Sequence, residues 1–145
     1  LVMRGRSDAH LDHLAQVPLF SACSKKDLRF IARASDEVQV AAGRTLVQEG
    51  KPGHEFFLIL EGKAGVYRNG RRIATLGPGQ FFGELALLDR GPRSATVKAD
   101  TDMVVLVLGQ REFAGVLDEV PGLARKLLQA MAARLREADA KAIAH

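Results

Sequence analysis

Residues 81–95 read FFGELALLDRGPRSA. Two phenylalanines close a strand-like run, Gly83 interrupts it, and the stretch to Leu88 reads as about one turn of apolar helix. Gly91-Pro92 ends that turn. Glu84 and Arg93 therefore bracket a short helical segment. The first N–H groups of a helix lack intrahelical acceptors, and the helix dipole adds partial positive charge there. Gly83 allows a ligand close to that backbone, which makes the segment's start a seat for an anion. Arg93 can return to the same anion with a planar fork of donors. Glu84, when ionised, only accepts, so it needs a hydroxyl or an N–H. The residues alone admit two arrangements. One is a Glu84–Arg93 salt bridge. The other is two contacts to one ligand that carries a phosphate and a nearby hydroxyl, as a ribose phosphate does. A carboxylate at that spot favours a singly charged diester over a terminal phosphate.

Upstream of this stretch the hydrophobic period is two. Val38 and Val40 alternate with polar neighbours from about residue 37, and Ala42-Gly43 and Gly50-Lys51-Pro52-Gly53 mark turns. Phe56 to Leu60 is a short apolar strand. Asn69-Gly70 is a type I′ hairpin signal, since both residues tolerate positive φ. Downstream, Ser94 to Ala99 and Met103 to Leu108 add strands on either side of a turn at 100–102. Short strands joined by Gly-rich turns predict an antiparallel roll rather than a parallel sheet.

Helices flank the roll. Leu11, Leu14 and Ala15 share a face, and VPLF at 17–20 makes a kink. Ser24 caps a second helix, with Asp27 as an imperfect capping-box partner and Leu28, Ile31 and Ala32 as its stripe. After the roll, Phe113, Val116 and Leu117 suit a short helix. Pro121 is expected at the first position of a longer one. Its apolar positions are Leu123, Ala124, Leu127, Leu128, Met131 and Leu135, and Glu137 to Lys141 reads as a frayed, charged tail. The fold class is thus α+β: a jelly-roll-like antiparallel β roll of about eight strands, with N-terminal helices and two C-terminal helices.

Composition sets limits. At 145 residues, 47% hydrophobic and 26% charged, the chain suits one soluble domain able to bury a core. The single Cys23 permits no internal disulfide and reads as a half-buried structural thiol, which weakly suggests a cytoplasmic protein. The net charge of +4 is dispersed. Its densest cluster, Arg68, Arg71 and Arg72, reads as a solvated hairpin tip rather than a nucleic-acid patch. No apolar run is long enough to span a membrane, and no signal peptide is evident. The chain starts at Leu1, which suits either trimming or a piece of a longer protein. A metal-dependent enzyme on a similar roll would need clustered His and carboxylate ligands. His10 and His13 share a helical face, but they precede the roll and read as a surface pair.

FGELALLDRGPRSATVKA, residues 82–99, resembles the phosphate-binding cassette of cyclic nucleotide-binding domains. LVQEGKPGHEFFLILEG, residues 46–62, resembles the same family's glycine-patterned β segment, with Gly50, Gly53 and Gly62 at its turn positions. Lys51 departs from the small polar or acidic residue usual there, at a surface turn. The resemblance covers about residues 10–140. It implies a single domain over 1–145, with N-terminal helices to 36, the roll over 37–109 with its cassette at 82–97, and C-terminal helices over 110–145.

The resemblance also implies roles. Glu84 would accept from the ribose 2′-hydroxyl of a 3′,5′-cyclic nucleotide, and Arg93 would pair with its exocyclic phosphate oxygens. Amides of Leu85 and Ala86 would complete the cradle beside Gly83, and Ala95 would line the site beside Ser94. Thr at the position of Ser94 often accompanies cGMP preference in the family; small residues accompany cAMP. Ser94 thus leaves cGMP open, with cAMP favoured. Arg134 is expected to reach the base from the closing helix. The implied function is a non-enzymatic cAMP sensor without metal, whose closing helices repack on binding. A homodimer through the last helix fits the stripe at Ala124, Leu128, Met131 and Leu135. A catabolite-activator-type factor would need a further DNA-reading domain after the long helix, so this chain is expected neither to bind DNA directly nor to insert in a membrane.

Overall fold

The computed structural model describes residues 8–84 and 91–144. The chain opens with α1 (Asp8–Ala15), a 3-10 turn at Pro18–Phe20 and α2 (Lys25–Ala34). Strands β1 (Asp36–Val40), β2 (Thr45–Val47), β3 (Glu55–Glu61), β4 (Ala64–Arg68), β5 (Arg71–Leu76), β6 (Phe81–Phe82), β7 (Thr96–Ala99) and β8 (Met103–Gly109) follow. Helices α3 (Gln110–Glu119) and α4 (Leu123–Ala144) close the chain. Two four-stranded sheets, β1-β8-β3-β6 and β2-β7-β4-β5, pair antiparallel throughout.

The alternation of side chains along a strand explains the uniformly apolar β3 and β8. Phe56, Leu58 and Leu60 point to a core shared with the helices, whereas Phe57 and Ile59 point to the core between the sheets. In β8, Leu106 and Leu108 join the helical core while Met103 and Val105 join the other. Phe81 and Phe82 split in the same way, and their rings stack on Phe56 at 5.5 Å and on Phe57 at 4.7 Å. Strands β8, β3 and β6 therefore form a middle layer buried on both faces, with β1 at its edge only partly covered.

Local signals act as read at several points. Ser24 and Asp27 form a complete reciprocal capping box, with bonds of 3.0 and 3.1 Å, because the shorter Asp side chain still reaches the cap amide. Asn69 and Gly70 adopt φ of 53° and 76°, as a type I′ turn demands. Cys23 is half-buried, and burial, helped by Asp27, raises its thiol pKa.

Three expectations are corrected. Ala15 is exposed, so Leu11 and Leu14 anchor α1 without it. Pro121 does not open the last helix: Gly122 follows it at φ 79°, outside the right-handed helical region, and α4 starts at Leu123. That helix also continues through the charged segment to Ala144, since Glu, Lys and Ala are all good helix formers. Among the described side chains of α4, only Leu123 and Leu127 are buried, with Ala130 and Met131 packed partly against the core. Leu128 and Leu135 are each 64% exposed.

Candidate functional site

β4, β5, β6 and β7 surround one end of a cavity of about 540 Å³, and α4 lies across it. That size falls within the roughly 300–1,000 Å³ range of small-molecule sites. Gly83, Glu84, Arg93, Ser94, Ala95 and Arg134 all line it. The sequence-predicted residues that fall within the described part of the chain are thus brought together. Leu85 and Ala86 lie outside the described residues. A second cavity of similar volume, about 520 Å³, is lined by Glu61 and Asp102 but by no basic residue, so it offers an anion no counter-charge.

Glu84 and Arg93 are 7% and 6% exposed, far below what is usual for charged side chains. They do not form the salt bridge that the sequence left open. Arg93 donates from Nη2 to the Glu55 carbonyl at 3.0 Å and from Nη1 to the Gly83 carbonyl at 3.3 Å. These two contacts fix the guanidinium and leave further N–H groups of its five for a ligand. Its Cζ lies 5.9 Å from the centre of the Phe57 ring. Burial lowers the Arg93 pKa, while the charges of Glu55 and Glu84 pull it back up. An arginine so placed remains a cation at neutral pH.

Two glycines make room for this arrangement. A Cβ on Gly53 would stand 2.0 Å from Arg93 Nε, so the turn before β3 is shaped to let the arginine pass. Gly83 sits at φ 90°, and a Cβ there would approach the Glu55 carbonyl oxygen to 2.6 Å. Glycine is required here both by the backbone conformation and by the space.

Glu84 finds its partner on the last helix. Arg134 Nη1 donates to Glu84 Oε1 at 2.9 Å. Its other terminal nitrogen donates to the Phe81 carbonyl, and its Cζ sits 4.1 Å above the Phe81 ring. The buried positions Leu123 and Leu127 hold the inner face of α4 against the core, and Arg134 extends that face two turns further. Arg134 therefore reaches the site as expected, but it grips the carboxylate and the cavity floor. A carboxylate offers about four acceptor positions, so the Oε1 contact leaves Glu84 with capacity for a hydroxyl.

Sequence reasoning missed other lining residues. Arg68, Glu137 and Ala138 border the cavity. Arg68 is exposed near the hairpin tip, as read, and its Nε also donates to the Ser94 carbonyl at 3.1 Å. Its spacing of two from Val66 on one strand face was the available signal. Arg72, from the same cluster, pairs instead with Asp100 and with the Tyr67 hydroxyl on the outer surface. Among the described residues no group of three or more His, Cys, Asp or Glu is placed to hold a metal ion. No helix there is long and apolar enough to cross a membrane.

An antiparallel roll that encloses a buried carboxylate and a buried guanidinium beneath a helix defines a small-anion binding domain. The chain belongs to the cyclic nucleotide-binding domain family, whose pattern it matches over residues 37–120. It is similar to the cAMP-dependent protein kinase regulatory subunit of Hypocrea atroviridis, at 36% identity over 78% of this chain and 24% of that protein. The chain thus spans about a quarter of the length of that relative. Among solved structures it resembles the Thermus thermophilus catabolite activator protein, with TM-score 0.78 and 32% identity over 86% of this chain and 61% of that one. It also resembles PKAR CBD2 bound to Sp-2Cl-cAMPS, with TM-score 0.77 and 26% identity over 91% and 90% of the two chains.

Proposed function

We propose that this chain is a non-enzymatic sensor domain that binds a 3′,5′-cyclic nucleotide, with cAMP preferred. The observation that carries the reading is the pair of buried opposite charges, Glu84 and Arg93, on one cavity and unpaired with each other. A ligand with a hydroxyl and a singly charged phosphate satisfies both. The relatives' names support cAMP as that ligand, since they include a cAMP-dependent kinase regulatory subunit and a domain holding a cAMP analogue.

In this reading Glu84 accepts from the ribose 2′-hydroxyl. Arg93 pairs with the exocyclic phosphate oxygens, with amides at Leu85 and Ala86, beside Gly83, completing the cradle. Ser94 and Ala95 line the site. Arg134 links the ribose subsite to α4, so occupancy of the site biases how that helix packs, a population shift that a further domain or subunit reads. We treat residues 1–145 as one such unit, working in the cytoplasm, with no metal cofactor and no direct contact with DNA. A second copy is a fitting partner. The exposed Leu128 and Leu135 lie in line with Ala124 and Met131 at alternating spacings of four and three, the seam of a helix pair.

Isothermal titration with cAMP and cGMP tests the reading. Binding of cAMP at micromolar concentration is expected, and Arg93→Ala should lose most of it, because the phosphate charge loses its partner. Absence of heat with both nucleotides at high micromolar concentration would overturn the proposal.

A further inference from the structure

Arg68 is a basic cavity residue to which the reading above gives no task. It stands two residues from Val66, and both line the cavity while Tyr67 between them turns away toward Arg72. The paired strand β5 contributes Ile73, Ala74 and Leu76 to the same cavity, so Arg68 shares its β4-β5 wall with apolar side chains. Such a wall suits the face of a planar base. Arg93, which holds the phosphate in that reading, is buried against Gly83 and Glu55. Arg68 is thus a further guanidinium on the cavity beside Arg93 and Arg134, carried on the β4 wall that the cyclic-nucleotide reading leaves to the base.

Two contacts pre-orient it. Its Nε donates to the Ser94 carbonyl, which fixes the plane of the fork and leaves both terminal nitrogens as donors. The hairpin tip that carries it is tied down as well, since the Asn69 amide donates to Glu49 Oε1 at 3.0 Å. An anchored guanidinium costs less ordering entropy on binding than a loose one.

We infer that Arg68 is a base-selecting residue that narrows the preference for cAMP by binding the guanine edge of cGMP. The inference rests on the cyclic-nucleotide reading of the same cavity. The chemistry is asymmetric. Guanine presents O6 and N7 as two adjacent acceptors, which match the two donors of a guanidinium fork. Adenine presents N7 beside the N6 amino group, a donor, so one arm of the fork meets a like partner. Arg68 therefore favours guanine where Ser94 supplies only one hydroxyl.

The test is titration of the wild-type chain, Arg68→Ala and Arg68→Lys with both nucleotides. Arg68→Ala is expected to weaken cGMP roughly tenfold or more, the loss of a bidentate base contact, and to leave cAMP within about twofold or slightly tighter. Arg68→Lys should behave like the alanine variant, because a point charge lacks the fork. Equal weakening of both nucleotides by Arg68→Ala would make Arg68 a general counter-charge and overturn the inference. So would an unchanged ratio, or full recovery of cGMP binding by Lys. Wild-type protein that binds neither nucleotide would sink the underlying reading, and this one with it; wild-type binding with an unmoved ratio sinks this one alone.

Discussion

Removing Arg134 should unfasten the last helix from the site, and the structure sets the size of the effect. Arg134→Ala deletes the bond to Glu84, the bond to the Phe81 carbonyl and the stack on the Phe81 ring. Glu84 is 7% exposed, and a buried charged acceptor left without its partner costs on the order of 1–3 kcal/mol. The lost cation–ring contact adds about 0.5–1 kcal/mol. Glu84 borders a cavity that water can enter, which returns part of this. The net expectation is a loss of about 2 kcal/mol in the ligand-free protein, or roughly 6–8 °C in Tm for a chain of this size. The assay is urea unfolding followed by circular dichroism, extended to a double-mutant cycle with Glu84→Gln. On the Gln background the cost of Arg134→Ala should shrink to about 1 kcal/mol, since a neutral amide tolerates isolation better than a carboxylate. Costs that add to within about 0.3 kcal/mol would show that the two side chains do not act as a pair, and the link between α4 and Glu84 would fail with them.

Gly83→Ala should destabilise the chain by about 2 kcal/mol or more, from positive φ together with the close approach to the Glu55 carbonyl; unchanged urea unfolding would contradict that geometry. Ile59→Ala, at a fully buried position between the two sheets, should cost about 3–4 kcal/mol, and a loss below about 1 kcal/mol in the same assay would mean that the inter-sheet core is not packed as described. Leu128→Lys combined with Leu135→Lys should leave the stability of a single chain within about 0.5 kcal/mol, since both side chains face solvent. Sedimentation equilibrium is expected to show a dimer for the wild type and a monomer for the variant; an identical oligomeric state would remove α4 as the proposed interface.

The local features of this fold were legible because they obey short-range rules. Positive φ at Asn69-Gly70, the Ser24–Asp27 cap, the apolar run Phe56 to Leu60 of β3 and the apolar β8 each follow from a few adjacent residues. So did the grouping of Glu84 and Arg93 around one short segment. The start of α4 was misplaced because Pro121 suits a first helical turn, and only the backbone shows Gly122 taking a left-handed conformation between it and the helix. Ala15 was miscounted because a helical period identifies a face without its width.

What the sequence alone determined is therefore the set of elements and the placing of two charged residues around one short segment. Their partners were decided by the tertiary structure. Arg93 is held by carbonyls from Glu55 and Gly83, and Glu84 by Arg134, fifty positions away. The Gly53 that lets Arg93 pass comes from a distant turn, and the Arg68 that borders the cavity from a distant strand. The physical reason is range. Turns, caps and strand alternation depend on neighbours along the chain, whereas the pairing of buried charges depends on which elements the packed sheets and helices bring face to face.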